Sequence, residues 1–275
     1  MSIFQDKVLA GRNAVVVGGT SGINLGIAKR FVSAGANVTI VGRNAEKAAG
    51  AVAEIRAETG GEARYDIADV RDYDSVAKVM AGAAEAHGPL DIVIAGQAGN
   101  FVAPAVGISS NGFKAVMDID LLGTFHVFRS SFEHLRQDNS SLIAITAGQS
   151  VNPTMFQAHV CAAKAGINML VQCLAKEWGP ASIRVNAISP GPIADTEGMA
   201  RLAPTPEAMA AVDKTVPLRR QGTKDEIADA AIFLSSQAAT YVTGTILDVC
   251  GGSNRGEATA DALGDGKREG GLVHA

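Results

Sequence analysis

Apolar, β-branched runs recur along the chain at residues 14–17, 37–41, 91–95, 142–146, 184–188 and 245–249. They are nearly continuous rather than alternating, the pattern of strands covered on both faces. A further strand is implied ahead of Asp69. Between the runs lie apolar residues at helical spacing: Ile27, Phe31 and Val32; Val76, Val79 and Met80; Ile167, Leu170 and Leu174. Strand and helix in alternation predict an α/β fold, a doubly wound parallel sheet of Rossmann type. No internal repeat or linker divides it, so a single domain is expected over residues 1–253. Residues 254–275, rich in glycine, alanine and charge, are expected to form a tail, either flexible or packed on a neighbouring subunit. After the sixth strand, Met199, Leu202, Met209 and Val212 suggest a substrate lid, though plain helix packing uses the same spacing.

Composition narrows the partners. The 275 residues are 47% hydrophobic, enough for a large single core. A net charge of −4 argues against nucleic acid, which needs clustered lysine and arginine. Three cysteines, Cys161, Cys173 and Cys250, are too few and too oddly counted for a disulfide framework, so a reducing cytoplasm is expected. The first residues lack a basic region followed by an apolar one, and no apolar run approaches the ~20 residues of a spanning helix. Neither a signal peptide nor a membrane span is expected, and no metal.

Candidate chemistry begins where the first strand runs into Gly18-Gly19-Thr20-Ser21-Gly22-Ile23-Asn24-Leu25-Gly26 and a helix follows. Glycines at a strand-to-helix junction let backbone N–H groups approach a pyrophosphate, and the helix N-terminus adds positive potential. The second strand ends at Gly42-Arg43-Asn44. A carboxylate at position 42 would bind the ribose hydroxyls of NAD and repel a 2′-phosphate. None is present, and Arg43 can grip a phosphate with two N–H groups, so NADP(H) is expected. Asp69 and Val70 are placed to meet the adenine.

Together Gly18-x-x-x-Gly22-x-Asn24, Asp69-Val70, Gly96-Gln97-Ala98-Gly99, Lys164, Pro190-Gly191-Pro192-Ile193 and Tyr241-Val242-Thr243-Gly244 resemble the short-chain dehydrogenase/reductase family over nearly the whole chain. The resemblance implies a Rossmann-type fold, a nicotinamide cofactor and a homotetramer, with 112–136 and 164–178 as interface helices. It adds Ala98, Gly99 and Lys164 to the cofactor contacts and implies that residues 190–196, Thr196 included, reach the carboxamide. The family's usual Asn, Ser, Tyr and Lys read here as Asp120, Ala147, Val160 and Lys164. Valine and alanine donate no proton, and positioned acid catalysis contributes ~10²–10⁴-fold, so simple carbonyl reduction should be crippled.

Around these gaps the chain resembles the peroxisomal-type 2,4-dienoyl-CoA reductases of fatty acid metabolism, a branch without that tyrosine. The stretches concerned are Ala98-Gly99-Asn100-Phe101, Ser109-x-Asn111-x-Phe113-Lys114, Val116-Met117-Asp118-Ile119-Asp120, Thr196-Glu197-Gly198 and Arg201-Leu202. That resemblance implies a small-molecule acyl-CoA substrate, with Asn100 as a donor to the thioester. Phe101, Ser109 and Asn111 would contact acyl-pantetheine, and Arg71 and Arg201 the CoA. The branch has an acidic residue four positions after its lysine; this chain has Asn168, which can position a water but cannot cycle a proton. His159 and Asp120 are the titratable alternatives, Asp120 equally able to serve as a buried partner of Lys164. Asn24 replaces a third loop glycine and is expected to tolerate left-handed geometry. Two other readings stay open: an oxidoreductase of another apolar carbonyl or alcohol, with His159 or Gln149 in a new role, and a non-catalytic NADP-binding scaffold.

Overall fold

The apolar runs become strands, and those at the centre of the sheet are covered on both sides. The computed structural model describes residues 7–256. Seven strands, β1 (Asn13–Val17), β2 (Asn37–Gly42), β3 (Ala63–Ile67), β4 (Ile92–Ala95), β5 (Ser140–Ile145), β6 (Ile183–Pro190) and β7 (Ile246–Val249), form one sheet in the order β3-β2-β1-β4-β5-β6-β7. Every neighbouring pair is parallel. Every residue of β1, β4 and β5 is buried. The edge strand β3 reads ARYDI and is half exposed, with Arg64 and Asp66 paired at 2.9 Å. Having one neighbour and one covered face, it carries no apolar run.

Helices α1 (Gly22–Ser33), α2 (Ala45–Thr59) and α9 (Lys224–Ser235) cover one face, burying Phe31, Ile55 and Ile227 in one cluster with Val16, Ile40, Ile143 and Ile188 of the sheet. The other face carries α3 (Tyr73–His87), α5 (Gly123–Ser131) and α6 (Ala158–Trp178), through Met80, Phe128, Ile167 and Val171. Helix starts follow their caps. The Asn44 side chain accepts from the Lys47 amide at 2.8 Å, and Thr223 with Glu226 forms a reciprocal capping box. Two short helices, α7 (Glu197–Leu202) and α8 (Pro206–Thr215), stand where the lid was expected. Met199 there is buried, whereas Leu202 is 58% exposed.

Two sequence expectations change. Asn254, assigned to the tail, is buried, and its Nδ2 donates to Ser189 Oγ and Asp248 Oδ1. The domain therefore continues at least to Gly256, and the rest of the tail lies outside the described residues. One segment, Ala158–Ala181, is long and apolar enough to cross a membrane by length and composition. Its buried residues Ile167, Val171 and Leu174 pack on the sheet, and Lys164 is buried on the same helix.

Depressed carboxylates make stability acid-sensitive, Asp91 and Glu226 among them. Burial alone would raise Asp91, but hydrogen bonds from Arg136, the Asn13 N–H and Arg12 outweigh it and hold the group below its usual range. Arg220, then the Thr223 N–H, hold Glu226 at about 2. A depressed folded-state value contributes stability above the unfolded value of about 4 and loses it as pH falls through the folded value. Urea unfolding should therefore give a plateau above about pH 5 and a falling midpoint from about pH 4 towards 2. Glu226→Gln should remove a small part of that slope, under about 1 kcal/mol because the group is solvent-screened. An unchanged slope in this variant would rule out Glu226.

Candidate active site

At the C-terminal ends of β1 and β4 the strand order reverses, opening the crevice in which doubly wound sheets bind ligands. Gly18 turns there with φ +77°, and a Cβ on it would meet Gln97 N at 2.9 Å. Gly22 has φ +58°, and a Cβ on it would meet nothing within 4 Å. The N-cap Ser21 makes no side-chain capping bond, so the first amides of α1 face this space unclaimed. Thr20, Ser21, Gly22 and Ile23 thus form a cradle that fits a pyrophosphate. Asn24 departs from expectation: its φ is not positive, and it lies inside α1. Its Nδ2 donates to Gly96 O at 2.6 Å, and a Cβ at Gly96 would strike that amide at 2.2 Å. Asn24 therefore joins the first loop to the one after β4.

At the other end of the crevice, a side chain at position 42 would run into Thr20 Cγ2 at 2.6 Å. The missing carboxylate is thus matched by its surroundings. Arg43 and Asn44 are exposed, and among the described residues Arg43 makes no ion pair. Arg71 is folded back on Asp69, its backbone N–H and its Nε each 3.0 Å from Oδ1. This guanidinium holds the Asp69 carboxyl at about 2, a fixed negative charge at neutral pH. Val70 is buried under Gly123, with its carbonyl against His126 Nδ1 at 2.8 Å.

The centre depends on a break in one long helix. Between α4 (Ser110–Met117) and α5, residues Asp118–Leu122 form a π-helical turn, which re-aims Asp120 inward. Asp120 is fully buried; its Oδ1 accepts the Gly99 N–H at 2.6 Å, and its Oδ2 stands 3.2 Å from Lys164 Nζ. Lys164 Nζ also donates to Ile145 O at 3.2 Å. One ammonium, one carboxylate and the loop of Ala98, Gly99 and Asn100 are thereby locked together, with Asn100 itself exposed.

Val160 belongs to an apolar cluster with Val116, Ala163 and Met117. Hydrocarbon fills its position, and Ala147 offers no hydroxyl. His159 is fully enclosed, its ring stacked on Phe101 with centroids 4.2 Å apart and both nitrogens without partners. Asn168 Nδ2 donates to Ser150 Oγ at 2.8 Å, and its buried Oδ1 has no protein partner. Ser150, Ile145 O and the π turn were not singled out from sequence.

The far wall follows β6. A Cβ on Gly191 would meet Cys250 Cα at 2.7 Å; Pro192 O accepts the Gly222 N–H, and Ile193 is buried. The Thr196 hydroxyl caps α7 at Met199 N and donates to Ile193 O. Ser109 Oγ caps α4 at Gly112 N, and Asn111, two residues on, is exposed. Arg201 is exposed and 3.5 Å from Glu197. Phe101, Val102, Met155 and Phe156 present exposed apolar surface, and Phe156 is held at φ +64°.

A family profile described as enoyl-(acyl carrier protein) reductase matches residues 17–254. The peroxisomal 2,4-dienoyl-CoA reductase of Rattus norvegicus is 40% identical over 252 residues, covering 91% of this chain and 85% of the rat protein. Among solved structures, a short-chain type dehydrogenase/reductase from Mycobacterium ulcerans superposes with a TM-score of 0.84 at 33% identity, covering 90% and 91% of the two chains. A gluconate 5-dehydrogenase from Burkholderia cenocepacia, in complex with NADP and tartrate, superposes with a TM-score of 0.83 at 30% identity, covering 90% and 97%.

Proposed function

This chain belongs to the short-chain dehydrogenase/reductase family of nicotinamide-dependent oxidoreductases, and we propose that within it the protein is an NADPH-dependent reductase of a 2,4-dienoyl-CoA. The observation that carries this reading is an intact Lys164–Asp120 pair beside hydrocarbon at Val160 and Ala147. The site keeps its cofactor-holding lysine and lacks the hydroxyls of ketone reduction. A conjugated thioester needs no acid at the carbon that takes hydride, because the charge spreads to the thioester oxygen.

When bound, NADPH would supply hydride to the far end of the conjugated system. Asn100 donates a hydrogen bond to the thioester oxygen, where the negative charge collects. Lys164 holds the nicotinamide ribose and adds positive potential; Asp120 fixes the lysine and, through Gly99, the loop that carries Asn100. The Asn168–Ser150 pair holds a water that gives the proton to carbon. His159, sealed beneath Phe101, serves as a wall, since its ring meets substrate only after Phe101 moves. Phe101, Ser109 and Asn111 line the acyl-pantetheine path, and Met199 with Leu202 closes over it. Arg71 and Arg201 meet the CoA by exchanging Asp69 and Glu197 for its phosphates. The exposed Leu122, Phe125, Phe132 and Met169 on the π turn, α5, the residue after it and α6 favour a homotetramer. All three cysteines are free, which suits the cytoplasm.

Product analysis tests the reading. With a 2,4-dienoyl-CoA and NADPH deuterated at the transferable position, the product should carry one hydrogen from the cofactor and one from solvent. A product lacking the cofactor's label would contradict it. Arg43→Ala tests the cofactor choice: the NADPH to NADH ratio of kcat/KM should fall by about 10- to 100-fold, the loss of one charge-assisted phosphate contact. An unchanged ratio would remove Arg43 from that role.

A further inference from the structure

The loop after β4, residues 96–100, carries Asn100 and is fastened at three places. Gly96 O accepts from Asn24 Nδ2 at 2.6 Å, across 72 positions of chain. Gln97 Nε2 donates to Thr124 Oγ1 at 3.1 Å and stands 3.5 Å from Ile119 O. Gly99 N–H meets Asp120 Oδ1 at 2.6 Å. The Gln97 contact follows from the π turn. A regular α-helix would send the Gly123 N–H to Ile119 O, whereas here it goes to Asp118 O and Asp120 O. Ile119 O, without that partner, has Gln97 within reach, and Thr124 Oγ1 donates on to Asp120 O at 2.6 Å. Gln97 and Gly99 thus tie the loop to the reaction centre, and Asn24 ties it to α1.

Asn24 is the third residue of α1. Its backbone N–H belongs to the first turn, whose amides form the cradle, while its side chain reaches Gly96. One residue therefore joins the seat of the cofactor to the loop of Asn100. Gly96 is matched to it. The φ of Gly96 lies outside the left-handed region, so space rather than backbone geometry demands glycine: a Cβ there would fall on the Asn24 amide. Stability alone does not account for this amide, because its Oδ1 is buried without a partner, a cost that offsets the Gly96 bond.

We propose that Asn24 is a positioning residue that couples the filled cofactor cradle to Asn100, so that bound cofactor readies the donor for the acyl-CoA. The inference rests on the reductase reading above and adds to it a control of substrate binding by the cofactor. The first amides of α1, once engaged by a pyrophosphate, hold that turn still. Asn24 Nδ2 passes the restraint to Gly96 O, and the bonds at Gln97 and Gly99 hold the rest of the loop. Asn100 is exposed, and its side chain makes no hydrogen bond among the described residues, so the loop alone sets its place.

The test is calorimetric titration of the full chain with 2,4-hexadienoyl-CoA, without cofactor and with saturating NADP+, which binds but gives no hydride. In the unaltered protein NADP+ is expected to tighten acyl-CoA binding by about 5- to 100-fold. In Asn24→Ala that ratio should fall to within about twofold of one. Gly96→Ala should do the same from the other side, because its methyl displaces the Asn24 amide, and combining the two should lower the ratio no further. A weakened fold would act with the opposite sign, since cofactor would then restore folded protein and raise the ratio. Equal acyl-CoA binding with and without NADP+ in the unaltered protein, or either single variant keeping the full ratio, overturns the inference. An unaltered protein that binds NADP+ but no dienoyl-CoA overturns the reductase reading, and the inference falls with it.

Discussion

Lys164→Met is expected to lower kcat by about 10²–10⁴-fold, the range of a positioned group lost from a reaction centre. The variant removes the ammonium proposed to hold the nicotinamide ribose and strips Asp120, fully buried, of its counter-charge. Breaking a buried pair from one side costs about 3–5 kcal/mol of stability, so its unfolding midpoint should fall as well. The double variant Lys164→Met/Asp120→Asn separates the two effects. It leaves no bare charge, and its amide still accepts the Gly99 N–H, so much of the lost stability should return while activity does not. Activity returning with stability would show that the lysine acts only through folding.

Asn100→Ala is expected to cost about 10²–10³-fold in kcat, the measured scale for one oxyanion donor. Asn100 is exposed and makes no hydrogen bond within the described protein, so its truncation should leave the thermal midpoint in place. The proposed donor would act on charge that develops during reaction, so KM for the acyl-CoA should change far less than kcat. Asn100→Asp, which presents an acceptor to a developing negative charge, should be slower still. Steady-state rates with NADPH decide it. A loss confined to KM would make Asn100 a binding contact alone.

How much the sequence disclosed depended on what each residue's neighbours add. Strands such as β4 and β5 were legible because burial on both faces leaves an unbroken apolar run. The edge strand β3 was hidden, because the Arg64–Asp66 ion pair breaks that run while its apolar Tyr65 and Ile67 are exposed. The glycine loop was legible as a cradle, yet the role of Asn24 was not. Asparagine in place of glycine suggested a left-handed residue, whereas the structure uses its amide to reach Gly96, 72 positions away. Asp120 as the partner of Lys164 was one of two open readings, and the π turn that brings them together has no local sequence signature. Ser150 appears only once segments distant in sequence are side by side. Positions 147 and 160 carried the most information, because they lacked the hydroxyls that the surrounding motifs lead one to expect.

The central claim is that the pocket stabilises charge spread along a conjugated thioester and so does without a hydroxyl at position 160. Initial rates of NADPH oxidation with a 2,4-dienoyl-CoA and with a β-ketoacyl-CoA of equal chain length test it most directly. The account predicts rapid turnover of the dienoyl thioester and a rate with the ketoacyl thioester lower by about 10²-fold or more. Equal rates, or a preference for the ketone, would contradict it.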